Sequence, residues 1–232
     1  MLNNEKKIKR FKLTLFSQFV LIVEALLNED LLHMFMSPSE TSKSIGETLF
    51  LITTIWYMYN MYKMVKSFDA NTKIVNRMYM LLFIAFLIGG TLASPGVHLV
   101  EDTVKRIILF GVQICLYSSF CMIIYFTIIE IFGEKSDMEE RMWGSACIYL
   151  MISVSFASLY DMVCLMYPNA TGILHEMRFH SYMMCVAYSM NVLGALDTTF
   201  PNAMLIIKDI SIIEAVWSNL FAVLLVGRLL SK

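Results

Sequence analysis

The residues with the most chemical content in this chain are few, and they stand in apolar company. Glu24, Glu130, Asp161 and Glu214, with Lys208 and Asp209 nearby, fall in or beside long hydrophobic stretches. Ionisable groups are costly in hydrocarbon and face protein or water instead. Glu214 sits in the middle of its stretch, where it either braces neighbouring backbone through hydrogen bonds or lines a watery vestibule. Glu24 and Glu130 lie near the ends of theirs, where a carboxylate reaches an interface. His33, His98, His175 and His180 offer groups that titrate near neutral pH. They are either plain surface histidines or an external pH or metal response, and no close-spaced pair favours a metal. No nucleophile–base pair, phosphate loop or metalloprotease motif is present, so no enzyme activity and no cofactor are expected. The remaining unusual feature is "YSMNVLGALDTTFP", residues 188–201, a turn-forming run between two apolar stretches.

The elements that must position these residues follow from composition. Of 232 residues, 58% are hydrophobic and only 16% charged, below the quarter usual in soluble domains. The apolar residues come in blocks of about twenty, enough to cross a hydrocarbon core of about 30 Å as a helix. The chain is therefore expected to be a multi-pass membrane protein. A net charge of −1, without a basic patch, gives no reason to expect nucleic acid. Cys115, Cys121, Cys147, Cys164 and Cys185 all fall in apolar segments without a CxxC pair, which predicts reduced thiols packed as small hydrophobes.

Six spanning helices are predicted, over 11–36, 45–64, 75–93, 104–132, 142–166 and 202–230, with a shorter helical run over 179–192. Ser44 and Glu47 resemble a helix-capping pair for the second, and Pro95-Gly96 ends the third. The basic run before residue 11 and the apolar block after it read as a retained signal anchor. Lys6, Lys7, Lys9, Arg10, Lys12, Lys63, Lys66, Lys73, Arg77, Lys135, Arg141, Arg228 and Lys232 fall on one side, the majority of the 18 basic residues. Cytoplasmic loops are enriched in Lys and Arg, so both termini are expected in the cytoplasm. Asn169-Ala170-Thr171 fits a glycosylation sequon on the other side, with meaning only in a eukaryotic secretory route.

With an even number of spans, 188–201 enters the membrane from outside and returns. Irregular backbone survives at that depth only when buried in protein or lining a watery cavity. Symmetric assembly around the loop would supply that protection. The alternative is that 179–192 is an amphipathic interfacial helix and the turn lies among headgroups.

"MWGSACIYLMISVSFASLY" (142–160) and "SIIEAVWSNLFAVLLVGRLL" (211–230) resemble the outer and inner helices of small bacterial potassium-channel-like proteins. Those helices typically read near "CVYLLLGLAWALLY" and "AVLEAVIGQLYLAVLVARLV". Glu214, Ala215, Leu220, Val226, Arg228 and Leu229 match in register. The run 188–201 stands where that family has something like "VTLTTLGYGDITP". The resemblance implies a pore module over 141–232, preceded by a four-helix membrane domain over 1–140, assembled as a homotetramer in the plasma membrane.

The filter-like positions are Val192, Leu193, Gly194, Ala195, Leu196 and Asp197. A potassium filter aims successive backbone carbonyls at the ion. Here Gly194 and Asp197 are kept, but Val192 lacks a hydroxyl and Ala195 lacks the packing aromatic. Leu196 replaces a glycine, where a left-handed conformation would cost about 1–2 kcal/mol. On the inner helix Ser218 replaces a hinge glycine and Asn219 a glutamine, which still permits bending. Two functions are expected from this pattern. One is a weakly selective or gated pathway for monovalent cations, with Asp197 as a carboxylate at its mouth. The other is a non-conducting scaffold or sensor subunit that keeps the channel fold and holds a cytoplasmic protein. Adjacent Lys105 and Arg106 do not make a voltage sensor, which needs basic residues at every third position.

Overall fold

A computed structural model describes residues 2–35, 40–68, 72–93, 101–133, 136–196 and 202–230. Among them are seven α-helices and no strand: α1 Leu2–Phe35, α2 Glu40–Val65, α3 Thr72–Ala93, α4 Asp102–Ile131, α5 Met138–Met166, α6 Phe179–Leu193 and α7 Leu205–Leu230. Three are long and apolar enough to cross a membrane: Lys73–Ala93, Asp102–Ile131 and Met138–Met166.

The third of these occupies the centre. In its most apolar window α5 is 72% buried, against 33% for α3 and α4, and it packs on α1, α4, α6 and α7. Its small residues make this contact on many sides feasible. Gly144, Ser145, Ser153, Ser155, Ala157 and Ser158 let neighbouring helices approach closely. At Gly144 the approach is closest: a Cβ there would run into Ile131 of α4 and meet the Phe11 ring of α1 at 3.2 Å. One continuous core runs from Phe11 to Ile207 across all seven helices, and residue 140 falls inside α5.

Local chemistry explains where α5 begins and ends. Glu139 and Glu140 in its first turn complement the positive end of the helix dipole. Tyr167 precedes Pro168 and adopts φ −127°, ψ 89°, the extended geometry that a following proline imposes.

Two helix starts differ from the sequence reading. The basic run before residue 11 is helical, since α1 starts at Leu2. Lys7 pairs with Glu130 of α4, Arg10 donates to the Lys63 carbonyl at 2.9 Å, and Lys12 meets Glu139 at 2.8 Å. These contacts gather the N-terminal part of α1, the ends of α2 and α4, and the start of α5 at one end of the bundle. Ser44 is not a cap, because α2 starts at Glu40 and the Ser44 carbonyl accepts a proton from Thr48 Oγ1 at 2.8 Å within the helix. Glu47 is turned to a tertiary partner, Arg178, at 3.0 Å.

Candidate functional site

The turn after α6 is set by the end of that helix. Gly194 N–H donates to the Met190 carbonyl at 2.9 Å, Ala195 N–H to Val192 at 3.1 Å, and Leu196 N–H to Asn191 at 2.9 Å. The last two bonds together are the paired closure that ends many helices, with a left-handed residue just past the cap. That residue is Ala195, at φ 52°. Gly194 sits at φ −79°, which any residue adopts, so the retained glycine does not use its conformational freedom.

Val192 and Leu193 are accordingly helical and buried, not part of a loop. The Leu193 carbonyl accepts a hydrogen bond from Tyr149 Oη of α5 at 3.2 Å. The four carbonyls from Met190 to Leu193 thus all accept protons within the chain. The sequence accounts for this: apolar Val192 and Leu193 continue the helical stripe of α6, where a glycine would weaken the last helical turn. Leu196 follows with its side chain exposed. Asp197 lies outside the described residues. Ala195→Gly should stabilise the chain by up to about 1 kcal/mol, by relieving the left-handed strain at a Cβ-bearing position. Thermal unfolding in detergent reads this, and a lowered midpoint would show that the turn is not held left-handed.

Behind the turn, Glu214 is fully buried on α7. Tyr160 Oη of α5 donates to its Oε2 at 2.6 Å, and Ser189 of α6 meets its Oε1. Ser189 Oγ also lies 2.9 Å from the Ser153 carbonyl of α5, so its one proton serves either acceptor. The Tyr160 ring packs edge-on against Tyr188 at 4.9 Å. Glu214 is therefore tied to both neighbouring helices, the bracing arrangement, with no exposed face towards a vestibule. Ser218, one turn on, closes its hydroxyl onto the Glu214 carbonyl at 2.7 Å, as serines within helices often do. Asn219 is exposed, as are Lys208 and Asp209 in the first turns of α7.

A second polar centre was not legible as such in the sequence. Asp161 of α5 accepts from Gln113 Nε2 of α4 at 2.7 Å through Oδ2, and its Oδ1 lies 2.7 Å from His175 Nε2. The Met177 amide donates to His175 Nδ1 at 3.2 Å, which leaves Nε2 to carry the ring proton towards Asp161. The backbone forces this inward turn. His175 N–H bonds the Pro168 carbonyl at 2.9 Å, and Gly172 and Met177 both take positive φ. His175, expected as a surface residue or sensor, therefore has a side chain only 5% exposed. His180 is half-buried at the start of α6, while His98 and the side chain of His33 lie outside the described residues.

Other expectations resolve more simply. Glu24 lies well inside α1, where Thr53 Oγ1 of α2 donates to it, not at a helix end. Glu130 is at the end of α4, but it faces Lys7 in a largely buried ion pair. All five cysteines are free thiols; Cys147, Cys164 and Cys185 are buried and Cys121 is exposed. Asn169 is exposed on the turn after α5. The chain matches no family model, no curated protein and no solved structure.

Tyr149, Tyr160 and Ser189 were missed in the sequence because a hydroxyl in an apolar helix has no signature of its own. One signal was available. Ser153 and Tyr160 are seven residues apart on α5, the spacing that places two side chains on one helix face.

Proposed function

We propose that this chain is an ion-channel-like membrane protein in which α5, α6 and α7 form a diverged pore module. In this reading α1 to α4 surround the module, four copies assemble, and monovalent cations pass weakly selected or gated beside the α6–α7 turn. The observation that carries it is the Glu214 node, which fixes a short helix between two long ones. α6 has 15 residues, about 22 Å of helix, less than the about 30 Å needed to span hydrocarbon. A helix of that length, held by protein on several sides, fits a re-entrant segment. The ends of α1, α2, α4 and α5 that share Lys7, Arg10, Lys12 and Lys63 would face the cytoplasm of a cell membrane, and six helices would span it.

One observation favours the second reading, a non-conducting scaffold or sensor subunit that binds a cytoplasmic partner. Each carbonyl from Met190 to Leu193 already accepts a hydrogen bond within the chain, which makes it a poorer ligand for an ion. Cation flux into liposomes separates the two. A conducting wild type whose flux falls several-fold in Asp197→Asn supports a pore with a carboxylate at its mouth. Sealed vesicles at every applied potential would favour the scaffold.

A further inference from the structure

The Asp161 centre borders a partly open cavity that the proposed pore does not use. The cavity measures ≈ 80 Å³ and is walled mainly by apolar side chains, among them Phe50 and Tyr57 of α2, Phe86 of α3 and Phe120 of α4. Gly89 and Gly90 of α3 contribute no side chain to the wall. Gln113, Asp161 and His175 border one part of it, and Thr54, Arg178 and Tyr182 add further polar side chains.

This polar end is incompletely satisfied. Gln113 is 7% exposed, and its Oε1 has no hydrogen-bond partner among the described residues. The amide orientation is set by Asp161, because the carboxylate accepts protons and so holds Nε2 at 2.7 Å. Oε1 is thus left as a buried acceptor, an arrangement that costs stability unless something donates to it. Asp161 itself receives neutral donors from the Gln113 amide and the His175 ring. Arg178, which also borders the cavity, is engaged with Glu47 through Nε at 3.0 Å and Nη2 at 3.4 Å. The pocket therefore presents a carboxylate and an unfilled acceptor side by side, at the edge of an apolar space.

We propose that this cavity is a binding site for a short-chain primary amine, with its alkyl chain among the aromatic side chains and its ammonium group donating to Gln113 Oε1 and Asp161. Three protons on the ammonium match several acceptors, and its charge complements the carboxylate. Pairing with the carboxylate offsets part of the cost of removing the cation from water. Size sets the limit on the chain: a cavity of about 150 Å³ accommodates benzene, so this one takes a molecule of only a few carbons. The site stands whether or not the chain conducts ions.

The full chain in detergent tests this, with its thermal midpoint followed against ethylamine, ethanol and propane, which have equal numbers of heavy atoms and suit a cavity of ≈ 80 Å³. Ammonium chloride at the same concentration controls for ionic strength. A ligand that binds only the folded state raises the midpoint in proportion to its occupancy. Ethylamine should bind about tenfold or more tightly than propane, with ethanol between them. Asp161→Asn keeps the shape and removes the charge that the ammonium pairs with, and should weaken ethylamine about tenfold while leaving propane unchanged. Equal shifts from the three probes, no shift beyond ammonium chloride, or unchanged ethylamine affinity in Asp161→Asn would each overturn the site. Should Asp161→Asn not fold, Gly90→Ala serves instead. Its methyl would meet nothing nearer than Phe179 Cζ at 3.5 Å, so it narrows the cavity without strain. It should weaken ethylamine, and unchanged affinity there would equally overturn the proposal.

Discussion

Glu214→Ala is expected to destabilise the chain by about 2–4 kcal/mol, read as the free energy of unfolding in a denaturing detergent titration. Two effects add. The Tyr160 hydroxyl loses its acceptor in a fully buried position, and a buried donor without a partner costs about 1–3 kcal/mol. The missing side chain also leaves a void among α5, α6 and α7 that close-packed neighbours fill only in part. Tyr160→Phe removes one hydroxyl and should cost only about 1 kcal/mol. Glu214→Gln keeps one acceptor oxygen and should fall between the two. If Glu214→Ala unfolds within about 0.5 kcal/mol of the wild type, the node does not hold these helices together, and the bracing of α6 must come from apolar packing alone.

Lys7→Met should cost about 3 kcal/mol in the same measurement. The Lys7 ammonium pairs with Glu130 and lies 4.0 Å from Glu140, whose side chain is 2% exposed. Removing one partner of a buried pair leaves the other charges without compensation in a poorly hydrated site. Methionine retains most of the aliphatic stem, so packing changes little and the loss reports on charge. Lys7→Met combined with Glu130→Gln should recover part of the loss, and the double-mutant cycle then measures the coupling directly. A single substitution costing less than about 0.5 kcal/mol would place these groups in the class of solvent-screened surface pairs.

The contrast between these two sites shows how far the sequence could be read. Glu214 stood out because a carboxylate in mid-helix among apolar residues needs a partner, whatever the fold. Lys7 did not stand out: it was one of several basic residues before an apolar block, and it served only to orient the chain. Its partner lies 123 residues away, and nothing local in "NNEKKIKRFK" selects it. His175 failed for the same reason. Taken alone it is a histidine in a polar connection, and only the bond from its amide to Pro168 turns it towards Asp161.

The turn at 188–201 divides differently. That a helix starts near 179 and a turn follows near 194 was evident from an apolar stripe ending at Gly-Ala. Which residue takes the left-handed angle was not. The sequence suggested strain at Leu196, whereas Ala195 adopts it, because the helix continues through Leu193 before its closing hydrogen bonds form.

By itself, then, the sequence determined an all-helical chain with helices apolar enough to cross a membrane, the approximate extent of each, and the isolation of Glu214 and Asp161 in apolar surroundings. These follow from local quantities: hydropathy summed over about twenty residues, helical periodicity and the punctuation of proline and glycine. Only the tertiary structure decided that α5 is the buried centre, that Glu214 joins Tyr160 and Ser189, and that Gln113, Asp161 and His175 meet beside a cavity. A membrane-spanning sequence is nearly uniform in hydropathy, so the pattern that marks a buried face in a soluble helix is weak here. Which polar groups meet depends on how the helices are rotated against one another, and small residues such as Gly144 set that rotation by allowing close approach.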